Sequence, residues 1–192
     1  MALLAPYRGP AFQEGRYSIH LLPLAIAVAL AGVAALGRWR LMRPALAAGL
    51  LAAALWTLPS AATRYAWAVQ NIDAMQVQLG RWIAANTPPG SRVALNDVGA
   101  IAYVSRREVV DVMGLVTPAI IPYRQKGEPG VLSYLERNCP DYLVIFPAWF
   151  PMLSAMTDRF RPIYRIMLAH NTVAGADEMV VYKTPWTSAG CP

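Results

Sequence analysis

Two apolar runs, YSIHLLPLAIAVALAGVAALG (Tyr17–Gly37) and PALAAGLLAAALWTLPSAAT (Pro44–Thr63), flank a short loop that carries Arg38, Arg40 and Arg43. Neither run contains Asp, Glu, Lys or Arg. Each is about the 20 residues that a helix needs to cross the hydrocarbon core of a bilayer. The loop between them is short enough to make only a tight helical hairpin. Short loops rich in Lys and Arg stay on the cytoplasmic side. The spacing therefore predicts a membrane hairpin, with everything from Arg64 onward outside the cytoplasm.

The competing reading is a helical hairpin buried in a soluble protein, since both runs are rich in alanine. A soluble helix carries a polar stripe at a period of about 3.6 residues. Leu21 to Leu36 and Ala45 to Leu58 carry none. Trp39, Trp56 and Tyr65 lie near the ends of the runs, where amphipathic rings favour the headgroup region. The membrane reading is preferred.

Of the 192 residues, the hairpin leaves roughly 130 for one ordinary globular domain. The net charge of +6 divides unevenly. Residues 1–63 hold five arginines and one acid, for +4; residues 64–192 hold twelve basic and ten acidic side chains, for +2. The excess is a topological signal at the membrane, whereas nucleic-acid binding needs a clustered basic face. No nucleic-acid partner is expected.

Two cysteines, Cys139 and Cys191, could pair outside the cytoplasm, but Cys191 is penultimate in a stretch expected to be a tail, which disfavours a structural bridge. Neither the cysteines nor His20 and His170 have metal-site spacing, so neither metal nor cofactor is expected. The N-terminal arm (residues 1–16) is broken by Pro6, Gly9 and Pro10 before any signal-peptide core forms. The first apolar run is therefore expected to direct insertion. Whether the chain is whole or the end of a longer membrane protein stays open.

Beyond Thr63 the composition changes. Arg64 to Ala85 has helical spacing and is stopped by Asn86-Thr87-Pro88-Pro89-Gly90. Strands are expected at Arg92–Leu95, Glu108–Val112 and Asp141–Phe146. Further helices are expected at Ala100–Val104, Val131–Asn138 and Trp149–Arg159, with an irregular, proline-bearing stretch from Val116 to Gly130. Ile163–Leu168 and Met179–Lys183 suggest a terminal strand pair. Alternating strands and helices imply an α/β domain over residues 64–183 with a mainly parallel sheet and an antiparallel edge. Thr184 to Pro192 is expected to be a disordered or partner-bound tail.

The order Asn86-Thr87-Pro88-Pro89-Gly90, strand, Asn96-Asp97-Val98-Gly99-Ala100-Ile101-Ala102-Tyr103, Asp111-Val112-Met113-Gly114-Leu115, Pro140-Asp141-Tyr142-Leu143-Val144 resembles the extracytoplasmic C-terminal domain of bacterial GT-C glycosyltransferases. Those multi-spanning enzymes use polyprenyl-phosphate sugars. Gly15-Arg16-Tyr17 followed by Pro23 is similar to the start of one of their late transmembrane helices. The resemblance implies the fold and the extracytoplasmic side. The family's catalytic acid lies in an early extracytoplasmic loop, for which this two-span chain has no counterpart. No catalytic residue is therefore assigned.

Candidate ligand residues fall in two places. Asp97 and Asp111 each follow a strand expected at the ligand-binding edge of an α/β sheet. They would bind a sugar or phosphate carrier there; otherwise Asp97 caps a helix and Asp111 pairs with Arg106 or Arg107. Arg16, Tyr17 and His20 cluster at the outer end of the first run, where Arg16 would hold a lipid phosphate or serve as an interfacial anchor. Phe146, Trp149 and Phe150, among prolines, form a docking surface or else pack a loop over the core. No nucleophile elbow, phosphate loop, dinucleotide fingerprint or zinc-protease motif occurs.

Two functions are expected on these grounds. The first is a non-catalytic, membrane-anchored subunit of a complex in the bacterial inner membrane, its α/β domain docked on other subunits from the periplasmic side. The second is a glycosyltransferase-like protein handling polyprenyl-phosphate-linked sugars.

Overall fold

The computed structural model describes residues 19–35 and 42–186. The chain divides into two units, Met1–Thr63 and Arg64–Pro192. In the first unit a 3-10 turn, Ile19–Leu21, leads into helix α1, Leu22–Ala35. No residue of either is buried. The arginine loop at residues 38–40 lies outside the described residues, and so do Arg16 and Tyr17.

Helix α2 runs from Met42 to Ile72 and continues through a π-helical turn, Asp73–Val77, into α3, Gln78–Asn86. One helix among the described residues is long and apolar enough to span a membrane, Pro44–Asn86, and none of its most apolar window is buried. Ile19–Ala35 is apolar but shorter. The hydroxyls in α2 turn back onto its own backbone. Thr57 donates to the carbonyl of Ala53 at 3.0 Å, Ser60 to Thr57 at 2.8 Å and Thr63 to Pro59 at 2.9 Å. Such back-bonding leaves no hydroxyl in search of an outside acceptor.

The second unit is a mixed α/β domain built on a five-stranded sheet of order β2-β1-β3-β5-β4. The strands are β1 (Arg92–Leu95), β2 (Glu108–Asp111), β3 (Tyr142–Ile145), β4 (Arg161–Met167) and β5 (Glu178–Lys183). β1 pairs in parallel with β2 and β3, with Leu95 opposite both Asp111 and Val144. β5 is antiparallel to β3 and to the edge strand β4. β3 is buried along its whole length, which explains its continuous apolar run Tyr142-Leu143-Val144-Ile145.

Both faces of the sheet are covered. On one, Met75, Leu79 and Ile83 of the long helix and Ile101 of α4 (Gly99–Ser105) pack on Val93, Leu95, Val144 and Val181. On the other, Val131 and Leu135 of α6 (Gly127–Asn138) and Leu153 of α7 (Pro151–Ala155) pack on Ala94, Leu143, Ile145 and Val180. Successive strand residues thus feed opposite layers, as the pleat requires.

Three expectations shift. The stretch expected to be irregular contains a 3-10 turn, Pro118–Ile120, a short helix α5, Ile121–Arg124, and the start of α6 at Gly127. Pro118 and Pro122 sit in first turns, where proline's missing N–H costs nothing. The helix expected from Trp149 to Arg159 is only Pro151–Ala155, preceded by the 3-10 turn Pro147–Trp149. The chain beyond Lys183 is not loose at its start. Thr184 is buried with its hydroxyl on the carbonyl of Pro140, and Trp186 packs edge-on against Phe160 beneath the Arg159 guanidinium. Residues 187–192, with Cys191, lie outside the described residues.

Candidate functional site

The connection β1–α4–β2 runs to one side of β1, and the chain then returns through α5 and α6 to β3 on the other side. Helix α4 lies on one face and α6 on the opposite face. The carboxyl ends of β1 and β3 therefore meet at a topological switch point, the usual ligand crevice of open α/β sheets.

Asn96 occupies that position. Its backbone N–H donates to the carbonyl of Val144 at 3.3 Å, extending the β1–β3 ladder by one step. Its side chain is only 3 % exposed, and neither its Oδ1 nor its Nδ2 has a partner. Gln76 is also buried and donates from Nε2 to Oδ2 of the half-buried Asp97 at 3.0 Å. Its Oε1 is unpartnered. These three are the buried side-chain polar atoms without a partner among the described residues. Leaving such an atom unpaired costs about 1–3 kcal/mol, so each calls for a ligand, a water or a functional reason.

Gln76 belongs to the π turn Asp73–Val77. A π turn inserts one residue into the helical ladder and re-aims the side chains beside it; such turns recur at functional sites. Gln76 follows Ile72 by four residues and precedes Leu79 by three, so it interrupts the apolar stripe of its helix. That interruption is the signal by which sequence alone could have found it. Asn96, directly after the buried run of β1, was within reach of the same argument.

Asp97 is not a helix cap. The residue before α4 is Val98, which makes no side-chain cap bond, and the Asp97 carboxylate is turned to Gln76 instead. Asp111 pairs with neither arginine. It is fully buried, and its Oδ1 accepts the N–H groups of Met113 (2.7 Å) and Gly114 (3.1 Å). Its Oδ2 accepts those of Val116 (2.7 Å) and Thr117 (3.3 Å). Four backbone donors fill the carboxylate, so Asp111 shapes the loop after β2 and has little left for a ligand. Arg107 is engaged by Thr87 and the carbonyls of Ala84 and Ser105.

The aromatic stretch after β3 is mostly core. Phe146 is 1 % and Phe150 5 % exposed, which corrects their assignment to a docking surface: burying their rings removes far more apolar area than a loop site could. Trp149 remains half-exposed, its ring 5.3 Å from Phe146 and its Nε1 donating to the carbonyl of Gly175 at 3.0 Å. His20 lies in the first unit and is exposed. Arg16 and Tyr17 lie outside the described residues.

Among the described residues no three His, Cys, Asp or Glu side chains are grouped to hold a metal. No curated protein and no solved structure matches the chain. A family model described as a domain of unknown function, DUF8728, matches residues 67–183, from the last turns of α2 to the end of β5, and the chain belongs to that family.

Proposed function

We propose that this protein is a non-catalytic, membrane-anchored subunit of a complex in the bacterial inner membrane, its α/β domain docked on partner subunits from the periplasmic side. One observation carries the reading. The helix Pro44–Asn86 holds an apolar window that none of the described residues buries, and its far end is built into a globular domain. The back-bonded hydroxyls of Thr57, Ser60 and Thr63 suit a hydrocarbon surrounding, where each unsatisfied donor is costly. Alkaline phosphatase fused after Pro192 should be active, and fused in the arginine loop inactive. On native gels the chain should migrate with one large complex. A fluorescent cytoplasmic reporter after Pro192, or free migrating chain, overturns this reading.

A second reading is favoured by the unpartnered atoms of Asn96 and Gln76. Amide groups with spare donors and acceptors suit a hydroxyl-bearing ligand, as in a polyprenyl-phosphate-linked sugar. A short-chain prenyl-phosphate sugar should then raise the melting temperature of the full chain, and Asn96→Ala should abolish the rise. No rise with the parent chain removes the sugar reading and leaves the anchor untouched.

A further inference from the structure

The exposed apolar side chains of the α/β domain are unevenly placed. Beyond residue 72, the large ones among the described residues are Tyr103, Leu115, Val116, Ile121, Trp149 and Met167. All except Tyr103 lie at the carboxyl end of β2, β3 or β4 or on the connection that follows it; Tyr103 sits farther along α4, the helix that follows β1. The opposite edge exposes Asn86, Arg106, Asp158 and Arg161 instead. Soluble surfaces scatter such apolar residues singly, whereas these five share one edge.

The chain enters the domain at that same edge. Asn71 and Trp67 of α2 lie against His170 and Thr172 in the β4–β5 loop. We propose that this carboxyl edge rests on the lipid surface of the membrane, with Leu115 and Val116 reaching the boundary between headgroups and acyl chains. The inference rests on the anchored reading above: the domain begins at Arg64, directly after the apolar run that ends at Thr63.

The tip is held for the purpose. Leu115 is 73 % and Val116 64 % exposed, yet their loop is fixed from beneath by four N–H bonds to Asp111. Beside it, Arg124 donates to the carbonyl of Met113 at 3.0 Å, and Lys126 is exposed two residues on. Apolar side chains at a tip flanked by cations fit the interface of an anionic bilayer.

The test uses the full chain in vesicles of phosphatidylcholine and phosphatidylglycerol, with bromine on the acyl chains to quench nearby tryptophan. Leu115→Trp adds a reporter at the tip. Tyr103→Trp adds one at an exposed position of α4, away from the edge. The emission gained in Leu115→Trp should be quenched at least about twofold more than that gained in Tyr103→Trp. Equal quenching of the two, with the parent chain quenched through Trp56, overturns the resting edge and leaves the anchor standing. An unquenched parent chain overturns both.

Discussion

Asn71 holds Thr172 through both backbone and side chain: its Oδ1 accepts the Thr172 N–H at 2.7 Å and the Thr172 hydroxyl at 3.0 Å, across 101 residues of sequence. Its Nδ2 donates to the carbonyl of His170 at 2.8 Å, so one buried amide fastens the β4–β5 loop to the end of α2. Replacing Asn71 by alanine removes the partner of two backbone groups in a part-buried site, on the exposed residues His170 and Thr172. The expected loss is about 1–2 kcal/mol of domain stability. Thermal melting of the full chain by near-ultraviolet circular dichroism measures it, and the Thr172 amide should exchange with deuterium much faster.

Asp111→Ala removes the acceptor for four N–H groups at once and should cost about 3 kcal/mol, with the loop 112–117 losing its exchange protection. Asp111→Asn keeps the shape but has only one acceptor oxygen, and should lose roughly half as much. If Asp111→Asn melts with the parent chain, the charge and second oxygen contribute nothing to the loop; if it melts with Asp111→Ala, they carry the whole effect.

These two anchors mark what the sequence made legible and what it hid. The apolar run Tyr142–Ile145, the Pro88-Pro89-Gly90 break and the β-branched Glu108–Val112 announce β3, the end of α3 and β2, because local pattern and burial agree there. Asp111 was singled out for lying after a strand, but its role depends on where the next six residues fold back. No spacing rule encodes that. The same holds for Asn71, whose partners lie about a hundred residues away. Phe146 and Phe150 misled because aromatic rings beside prolines look alike in a surface loop and in a core. Gln76 was overlooked because a helix pattern is judged by its apolar majority, and a lone polar residue on that face is easily set aside.

Gly80→Ala probes the contact between α3 and α4. A Cβ at Gly80 would lie 2.7 Å from the Cβ of Val104 and 3.3 Å from the carbonyl oxygen of Ile101, so the two helices must part. Alanine favours a helix over glycine by about 1 kcal/mol. Overpacking of a close helix contact costs about 1–3 kcal/mol, so the net change should be destabilising. Gly99→Ala, where nothing lies within 4 Å of the new Cβ, should stay within about 0.5 kcal/mol of the parent. Equal melting temperatures for the two variants would show that α4 shifts freely on α3.

Alkaline pH should loosen the domain through three phenols. Tyr134, Tyr142 and Tyr182 are all pushed above the ordinary tyrosine value of 10.0. Burial is the main cause in each; Asp111 adds to it at Tyr134, Asp141 at Tyr142 and Glu178 at Tyr182. The folded chain therefore keeps these protons to higher pH than the unfolded chain does. Their contribution is fully present below pH 10 and falls as the pH rises from there toward the folded values. Within that window each phenol removes up to about 1.4 kcal/mol per pH unit. Melting temperatures taken from pH 8 to 11.5 should be flat and then drop. Tyr182→Phe, which removes the hydroxyl of a side chain only 4 % exposed, should make the drop shallower. An unchanged slope in that variant would assign the alkaline loss to groups other than this phenol.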